Sequence, residues 1–240
     1  MTKLSTTFTV TADMLEQVAV FKGLNAHRLN EVASRCRGRR YVKHQEITTF
    51  GDKSGDVFFL LDGKVTIALF SDSGKEVVFR DLDAGAMFGE LNAIERSYRS
   101  ADVDAFEDCA VACMPGDDFI EMVGEDTELM LRVLSQLSRL VRALSQRVFE
   151  HDALKVGSRI HAELLRMSNA CEAENVAEIS NAPTDEQLAN RIGTTREAVN
   201  KELSNMRKMG LVDKGPGWIK IRDMATLRRL VMHEPMLAVH

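Results

Sequence analysis

The sequence predicts an α+β chain in three parts: an antiparallel β-barrel or sandwich, one long amphipathic helix, and a C-terminal winged helix-turn-helix. Three observations carry that expectation. Short apolar runs separated by Asx-Gly turns fill the stretch from Gly51 to Met114. An apolar stripe at spacings of three and four residues runs from Met130 to His151. Two helix-start signals, at Thr184 and at Thr194-Thr195, stand either side of Gly193.

The 240 residues suffice for two modest domains, each with its own core. The composition, 45% hydrophobic and 28% charged, is that of an ordinary globular chain. No apolar run approaches the roughly 20 residues that span a bilayer, and Met1-Thr2-Lys3-Leu4-Ser5 lacks a leader's apolar core. The expected compartment is the cytoplasm, with no membrane partner. Cys36, Cys109, Cys113 and Cys171 are too scattered for a disulfide framework or a clustered metal site, so no metal is expected. They read as buried or idle thiols. Net charge is −5 overall, yet residues 1–128 hold 14 Lys/Arg against 23 Asp/Glu, and residues 129–240 hold 17 against 13. That asymmetry fits a sensor joined to a nucleic-acid module.

Taken in order, Thr11 to Cys36 reads as short helices with Asp13 as an N-cap. Val57-Phe58-Phe59-Leu60-Leu61 is followed by Asp62-Gly63, then by Val65 to Phe70, a turn at Asp72-Ser73-Gly74, Val77-Val78-Phe79, and a turn near Asp83-Ala84-Gly85. Strands at this spacing are antiparallel. Met130, Val133, Leu137, Leu140, Leu144, Val148 and His151 then form a narrow stripe, with Arg132, Arg139, Arg142, Gln146 and Arg147 on other faces. A coiled-coil seam, and hence a parallel homodimer, is one reading; a helix packed on its own barrel is the other. A second helix is expected over Arg159–Met167, then an acidic loop with Glu172, Glu174 and Glu178 to Pro183. The expected divisions are 1–128 for the sensor, 129–153 for the long helix and 154–240 for the DNA module.

Thr184-Asp185-Glu186-Gln187 offers a capping box for a helix carrying Leu188, Ala189 and Ile192. Gly193 ends it, and Thr194-Thr195-Arg196-Glu197 offers a second box. Val199, Leu203 and Met206 share one face of the next helix, while Arg196, Glu197, Asn200, Lys201 and Ser204 share the other. Arg and Lys donate to guanine O6 and N7 in the major groove, and Glu accepts from cytosine N4. The plain alternative is a solvated face with a Glu197–Lys201 pair at i, i+4. Beyond it, two short strands around Gly215-Pro216-Gly217 form a wing, and Lys214, Lys220, Arg222, Arg228 and Arg229 add charge suited to phosphates.

With these residues in place, the chain resembles the bacterial Crp/Fnr superfamily, the cyclic-AMP-receptor-like transcription regulators. The resemblance rests on Gly51-Asp52, Gly63-Lys64-Val65, Phe88-Gly89-Glu90-Leu91, Arg99-Ser100-Ala101 and Gly193 to Lys201. It implies a jelly-roll-like, cyclic-nucleotide-binding β-roll, a central dimerisation helix and a winged helix-turn-helix. Backbone N–H groups at Gly89, Glu90 and Leu91 open a short helix suited to an anion, and Arg99 and Ser100 are suited to a phosphate. The family implies Glu90 on the ribose and Arg99 with Ser100 on the cyclic phosphate; the alternative is a Glu90–Arg99 salt bridge in a roll without ligand. Where cyclic-AMP receptors present adjacent Thr and Ser to adenine, this chain has Leu144 and Ser145. Cyclic AMP is the first effector implied and cyclic GMP the second. The base-reading positions map to Arg196, Glu197 and Lys201, flanked by Thr195, Asn200 and Ser204, with palindromic double-stranded DNA of TGTGA-type half-sites as the implied target. Lys201 stands where the family has Arg, replacing a bidentate fork by a point charge.

Competing expectations remain. A regulator of the same family could sense haem, with His27, His44 and His151 available, or a redox signal, or act without an effector. An enzyme is not expected, since no nucleophile–base motif or P-loop is present. A cyclic-nucleotide-dependent module that contacts only protein is the remaining class. RNA polymerase is a further candidate partner, through Glu172–Glu178.

Overall fold

The computed structural model describes residues 6–70, 76–168 and 175–232. The chain divides into two compact units, Met1–Leu140 and Val141–His240.

In the first unit, β1 (Thr6–Phe8), α1 (Ala12–Leu15) and α2 (Ala26–Ser34) precede β2 (Arg37–Tyr41), β3 (Glu46–Thr48), β4 (Val57–Asp62), β5 (Lys64–Phe70), β6 (Glu76–Asp83) and β7 (Met87–Phe88). Then follow α3 (Glu90–Glu95), β8 (Asp102–Ala105), β9 (Cys109–Met114) and α4 (Gly116–Glu125). The N-cap of α1 is Thr11, not Asp13, which sits inside the first turn where its charge suits the helix dipole. The strands form two antiparallel sheets, ordered β1-β2-β9-β4-β7 and β3-β8-β5-β6. The turn expected at Asp72-Ser73-Gly74 lies outside the described residues.

Strands β4 and β9 explain the continuous apolar runs. Successive side chains of a strand point to opposite faces. Along β4, Val57, Phe59 and Leu61 enter a core with Phe21, Phe119 and Leu129 on the helical side. Phe58 and Leu60 enter a second core with Val65, Phe88 and Val103 between the sheets. Its partner β9 alternates likewise: Ala110, Ala112 and Met114 on one side, Cys109, Val111 and Cys113 on the other. Both strands are buried on two faces, so neither carries polar residues in its interior. Phe58 stacks on Phe88 with centroids 5.0 Å apart, and Phe21 meets Phe59 at 4.7 Å.

Helix α5 (Thr127–Ala153) corrects the expected stripe. Leu129 and Val133 are buried in the first unit's core and Leu137 packs against it. The exposed apolar row is instead Leu134, Val141, Leu144 and Val148, at 50%, 62%, 39% and 63% exposure. Leu134, Val141 and Val148 recur every seven residues, with Leu144 three beyond Val141, a heptad-like spacing. The expected stripe mixed two faces: Val133 and Leu137 pack on the first unit's core, while Leu144 and Val148 are exposed together with Leu134 and Val141, which the stripe left out.

The second unit contains α6 (Val156–Met167), β10 (Ala177–Ser180), α7 (Asp185–Ile192), α8 (Arg196–Lys208), β11 (Val212–Gly215), β12 (Trp218–Ile221) and α9 (Met224–Met232). Its core joins Ile160 and Leu164 to Leu188, Val199, Leu203, Met206, Ile219 and Ile221. The two wing strands expected around Gly215-Pro216-Gly217 are β11 and β12, and β10 joins them in a sheet ordered β10-β12-β11. Glu178, expected in a loop, lies in β10 opposite Lys220, while Glu172 and Glu174 lie outside the described residues. Among the described residues, no helix is long and apolar enough to cross a membrane.

Candidate functional site

The first unit's site forms where β7 turns into α3. Gly89 is the N-cap, at φ 80°, and makes no side-chain capping bond to the first turn. A Cβ on Gly89 would stand 2.6 Å from Arg99 Nη1 and 2.9 Å from the Asp56 carbonyl oxygen. Both the positive φ and this close approach require glycine.

Arg99 and Glu90 are each 2% exposed. Arg99 donates from Nε to Ser54 Oγ at 2.9 Å, from Nη1 to the Gly89 carbonyl at 3.2 Å, and from Nη2 to the Asp56 carbonyl at 2.7 Å. Its guanidinium also lies 5.3 Å from the centre of the Phe58 ring. Burial pushes the group below the usual arginine range, opposed by the charges of Asp56, Cys113 and Asp52. Burial likewise raises the Glu90 carboxyl, opposed by its own backbone N–H and by Arg80 and Arg99. Among the described residues, Glu90 and Arg99 do not form an ion pair within 4.0 Å. The salt bridge weighed as an alternative is thus not made, because backbone carbonyls hold the guanidinium instead.

The turn therefore gathers Gly89, Glu90 and Arg99, with Leu91 half-buried and Ser100 exposed. Leu144 and Ser145 belong to the other unit, both exposed on α5. One residue escaped the sequence reading. Arg80 on β6 pairs across to Ile67, and Leu82 to Val65, so Arg80 shares the inner sheet face with side chains that pack into the inter-sheet core. Burial lowers its guanidinium, with Glu90 the charge that opposes this. The signal available in sequence was its i−2 relation to Leu82 in an alternating strand.

The second unit builds a polar face on α8. Thr184 and Gln187 form the full reciprocal capping box of α7, and Gly193, at φ 67°, closes the helix. The second box does not form. Thr194 donates its N–H to the Ala189 carbonyl at 3.0 Å and so completes the turn, leaving Thr195 as the N-cap, accepting from the Ala198 N–H. Val199, Leu203 and Met206 are buried, which turns Thr195, Arg196, Glu197, Asn200 and Lys201 outward, with Ser204 half-buried. The wing cations are less free than expected. Lys214 is paired with Asp185, and Arg222 Nη2 with Asp213 at 2.6 Å. Asp185 also accepts from Asn200 Nδ2 at 3.3 Å.

The candidate haem ligands are dispersed: His27 lies beside Glu31 on α2, His44 in a turn and His151 beside Asp152 on α5. Among the described residues no group of three His, Cys, Asp or Glu stands together to hold a metal. Burial pushes the Cys36 and Cys113 thiols up to about 12 and Cys109 to about 11, away from reactive thiolate. Cys171 lies outside the described residues.

Comparison with known proteins agrees with this arrangement. Residues 38–126 match the cyclic nucleotide-binding domain, and residues 158–230 match the Crp-like helix-turn-helix domain. The chain is 28% identical over 200 residues to the cAMP-activated global transcriptional regulator Vfr of Pseudomonas aeruginosa, covering 81% of this chain and 94% of Vfr. It is 25% identical over 181 residues to the cAMP-activated regulator CRP of Salmonella typhimurium, covering 75% and 86%. Among solved structures, the c-di-GMP responsive global regulator CLP of Xanthomonas campestris superposes with a TM-score of 0.70 at 19% identity, covering 82% of this chain and 99% of CLP. A CooA variant from Carboxydothermus hydrogenoformans superposes at 0.71 with 21% identity, covering 84% and 90%.

Proposed function

Since the chain belongs to the Crp/Fnr superfamily of DNA-binding transcription regulators, with a cyclic nucleotide-binding domain ahead of its helix-turn-helix, we propose that it is a cytoplasmic homodimer switched by a cyclic nucleotide. The carrying observation is the turn at Gly89. It holds a buried carboxylate, Glu90, and a buried guanidinium, Arg99, around the first turn of α3. A cyclic phosphate is received by those N–H groups and Ser100 within the positive field of Arg99, and Glu90 accepts from the ribose 2′-hydroxyl. Cyclic AMP is the first effector, following the cAMP-activated relatives, and cyclic GMP the second.

Dimerisation uses the exposed Leu134, Val141, Leu144 and Val148 row of α5. The dimer presents two α8 helices to successive major grooves of palindromic DNA with TGTGA-type half-sites. There Arg196, Glu197 and Lys201 read base edges. The effector acts by binding the DNA-competent state more tightly than the other state. Calorimetric titration with cyclic AMP and cyclic GMP, followed by DNA affinity with and without each, tests this. Heat of binding and a gain in DNA affinity are expected; equal DNA affinity in all conditions removes the nucleotide switch.

A further inference from the structure

The clasp at Asp185 puts a carboxylate on a surface built to meet a polyanion. Asp185 opens α7, and its two oxygens are divided between two other elements. One pairs with Lys214 of β11, and the other accepts from Asn200 of α8 at 3.3 Å. The side chains of Asp185 and Lys214 are 18% and 25% exposed, so the pair is partly shielded from solvent. Burial alone would raise the Asp185 carboxyl, but the bonds from Lys214 and Asn200 hold it below the usual carboxylate value. Beside it opens a cleft of about 460 Å³ lined by Thr184, Glu186, Arg196 and Gly217.

We propose that Asp185 is a specificity-determining positioning residue of the DNA interface, which ties the wing to the recognition helix and withholds Lys214 and Asn200 from indiscriminate phosphate contact. The inference rests on the DNA-reading function proposed above. Specificity is a difference of affinities, so a phosphate contact common to all sequences cancels from it, and it is the geometry of the base-reading side chains that changes it. Phosphate contacts carry no sequence information and dominate non-specific binding. Neutralising Lys214 inside the protein subtracts from that common part. Tying Asn200 and β11 to one carboxylate also fixes the angle at which Arg196 and Lys201 approach the bases.

The test compares the full-length chain with Asp185→Asn, Lys214→Met and the double variant. The probes are the duplex that the wild type enriches from a randomised pool and a scrambled duplex of equal length, across a salt series with cyclic AMP present and absent. In Asp185→Asn, Lys214 reaches phosphate, so the log–log salt slope on scrambled DNA steepens by about 0.9, the value of one phosphate. The ratio of enriched-site to scrambled affinity falls roughly tenfold, within the range of one base contact. Lys214→Met alone leaves the slope at the wild-type value, and the double variant loses the gain. An unchanged slope and ratio in Asp185→Asn, or a gain that survives the loss of Lys214, overturns the role. If Asp185→Asn does not fold, Lys214→Met decides: a slope shallower by about 0.9 means Lys214 already touches phosphate and overturns it. A wild type that enriches no sequence overturns the DNA-reading function and this inference with it. A wild type and Asp185→Asn that select the same site equally well overturn Asp185 alone.

Discussion

The turn at Gly89 and the outer face of α8 both carry Arg and Glu, in opposite physical settings. Arg99 and Glu90 are almost fully enclosed, while Arg196 and Glu197 stand in solvent. An enclosed charge must find partners within the fold, so Arg99 is held by Ser54, Gly89 and Asp56 and cannot be separated from stability. An exposed charge owes nothing to its own core and can be spent wholly on an outside partner. Of the two proposed sites, the one built from the first kind is pre-ordered and the one built from the second is adaptable.

Arg99→Ala breaks this contrast most severely if the contrast is wrong. It strands the Gly89 and Asp56 carbonyl oxygens, and the expected loss is about 2–4 kcal/mol of folding stability, together with loss of cyclic-nucleotide binding. Denaturant melts and calorimetry read both. The paired test is Arg196→Ala/Lys201→Ala. Stability should hold within about 0.5 kcal/mol, while affinity for the preferred duplex falls on the order of 100-fold and nucleotide binding stays as it was. A melting shift as large as that of Arg99→Ala would erase the distinction.

The exposed helices still depend on local backbone chemistry. Thr195→Ala removes the acceptor for the Ala198 N–H and should cost about 1 kcal/mol, loosening the first turn where Arg196 and Glu197 sit. Amide exchange at Ala198 should accelerate. The smallest effect concerns Glu90. Its folded carboxyl is raised from the ordinary 4.5 by burial, so the folded state holds more protons than the unfolded one above that pH. Stability should therefore fall as pH rises from about 4.5 through the raised value. Glu90→Gln should flatten this slope, seen as melting temperature against pH.

The two regions were also unequally legible. Capping chemistry is local, so Thr184, Gln187 and Gly193 announced α7 and its turn, and the buried face of α8 followed from a three-and-four spacing. Even there the second cap moved by one residue, because Thr194 was consumed in closing the preceding helix. The turn at Gly89 was singled out by its Gly-Glu and Arg-Ser pairs, yet its hydrogen bonds were not foreseen. Ser54 and Asp56, in the loop before β4, lie far from Arg99 along the chain, and no local pattern encodes their meeting. Arg80 was legible only as an alternate position to Leu82, and its approach to Glu90 comes from another strand altogether. The stripe on α5 was misread because two apolar faces, one for the core and one outward, overlap on a single helix.

The doubly buried β4 and β9 also bear on how the chain comes to fold. Phe58 pairs with Phe88 on one side and with Cys113 on the other, so one edge of β4 stays open until the chain has been made as far as Met114. Through all that synthesis Val57 to Leu61 is an apolar strand with an open edge, the kind of segment that seeks pairing with a neighbouring chain. The helix-turn-helix, with partners a few residues apart, closes quickly by comparison. Birth of the sensor on the ribosome is thus the slow and aggregation-exposed step, and the last strand to arrive, β9, is the one that ends it.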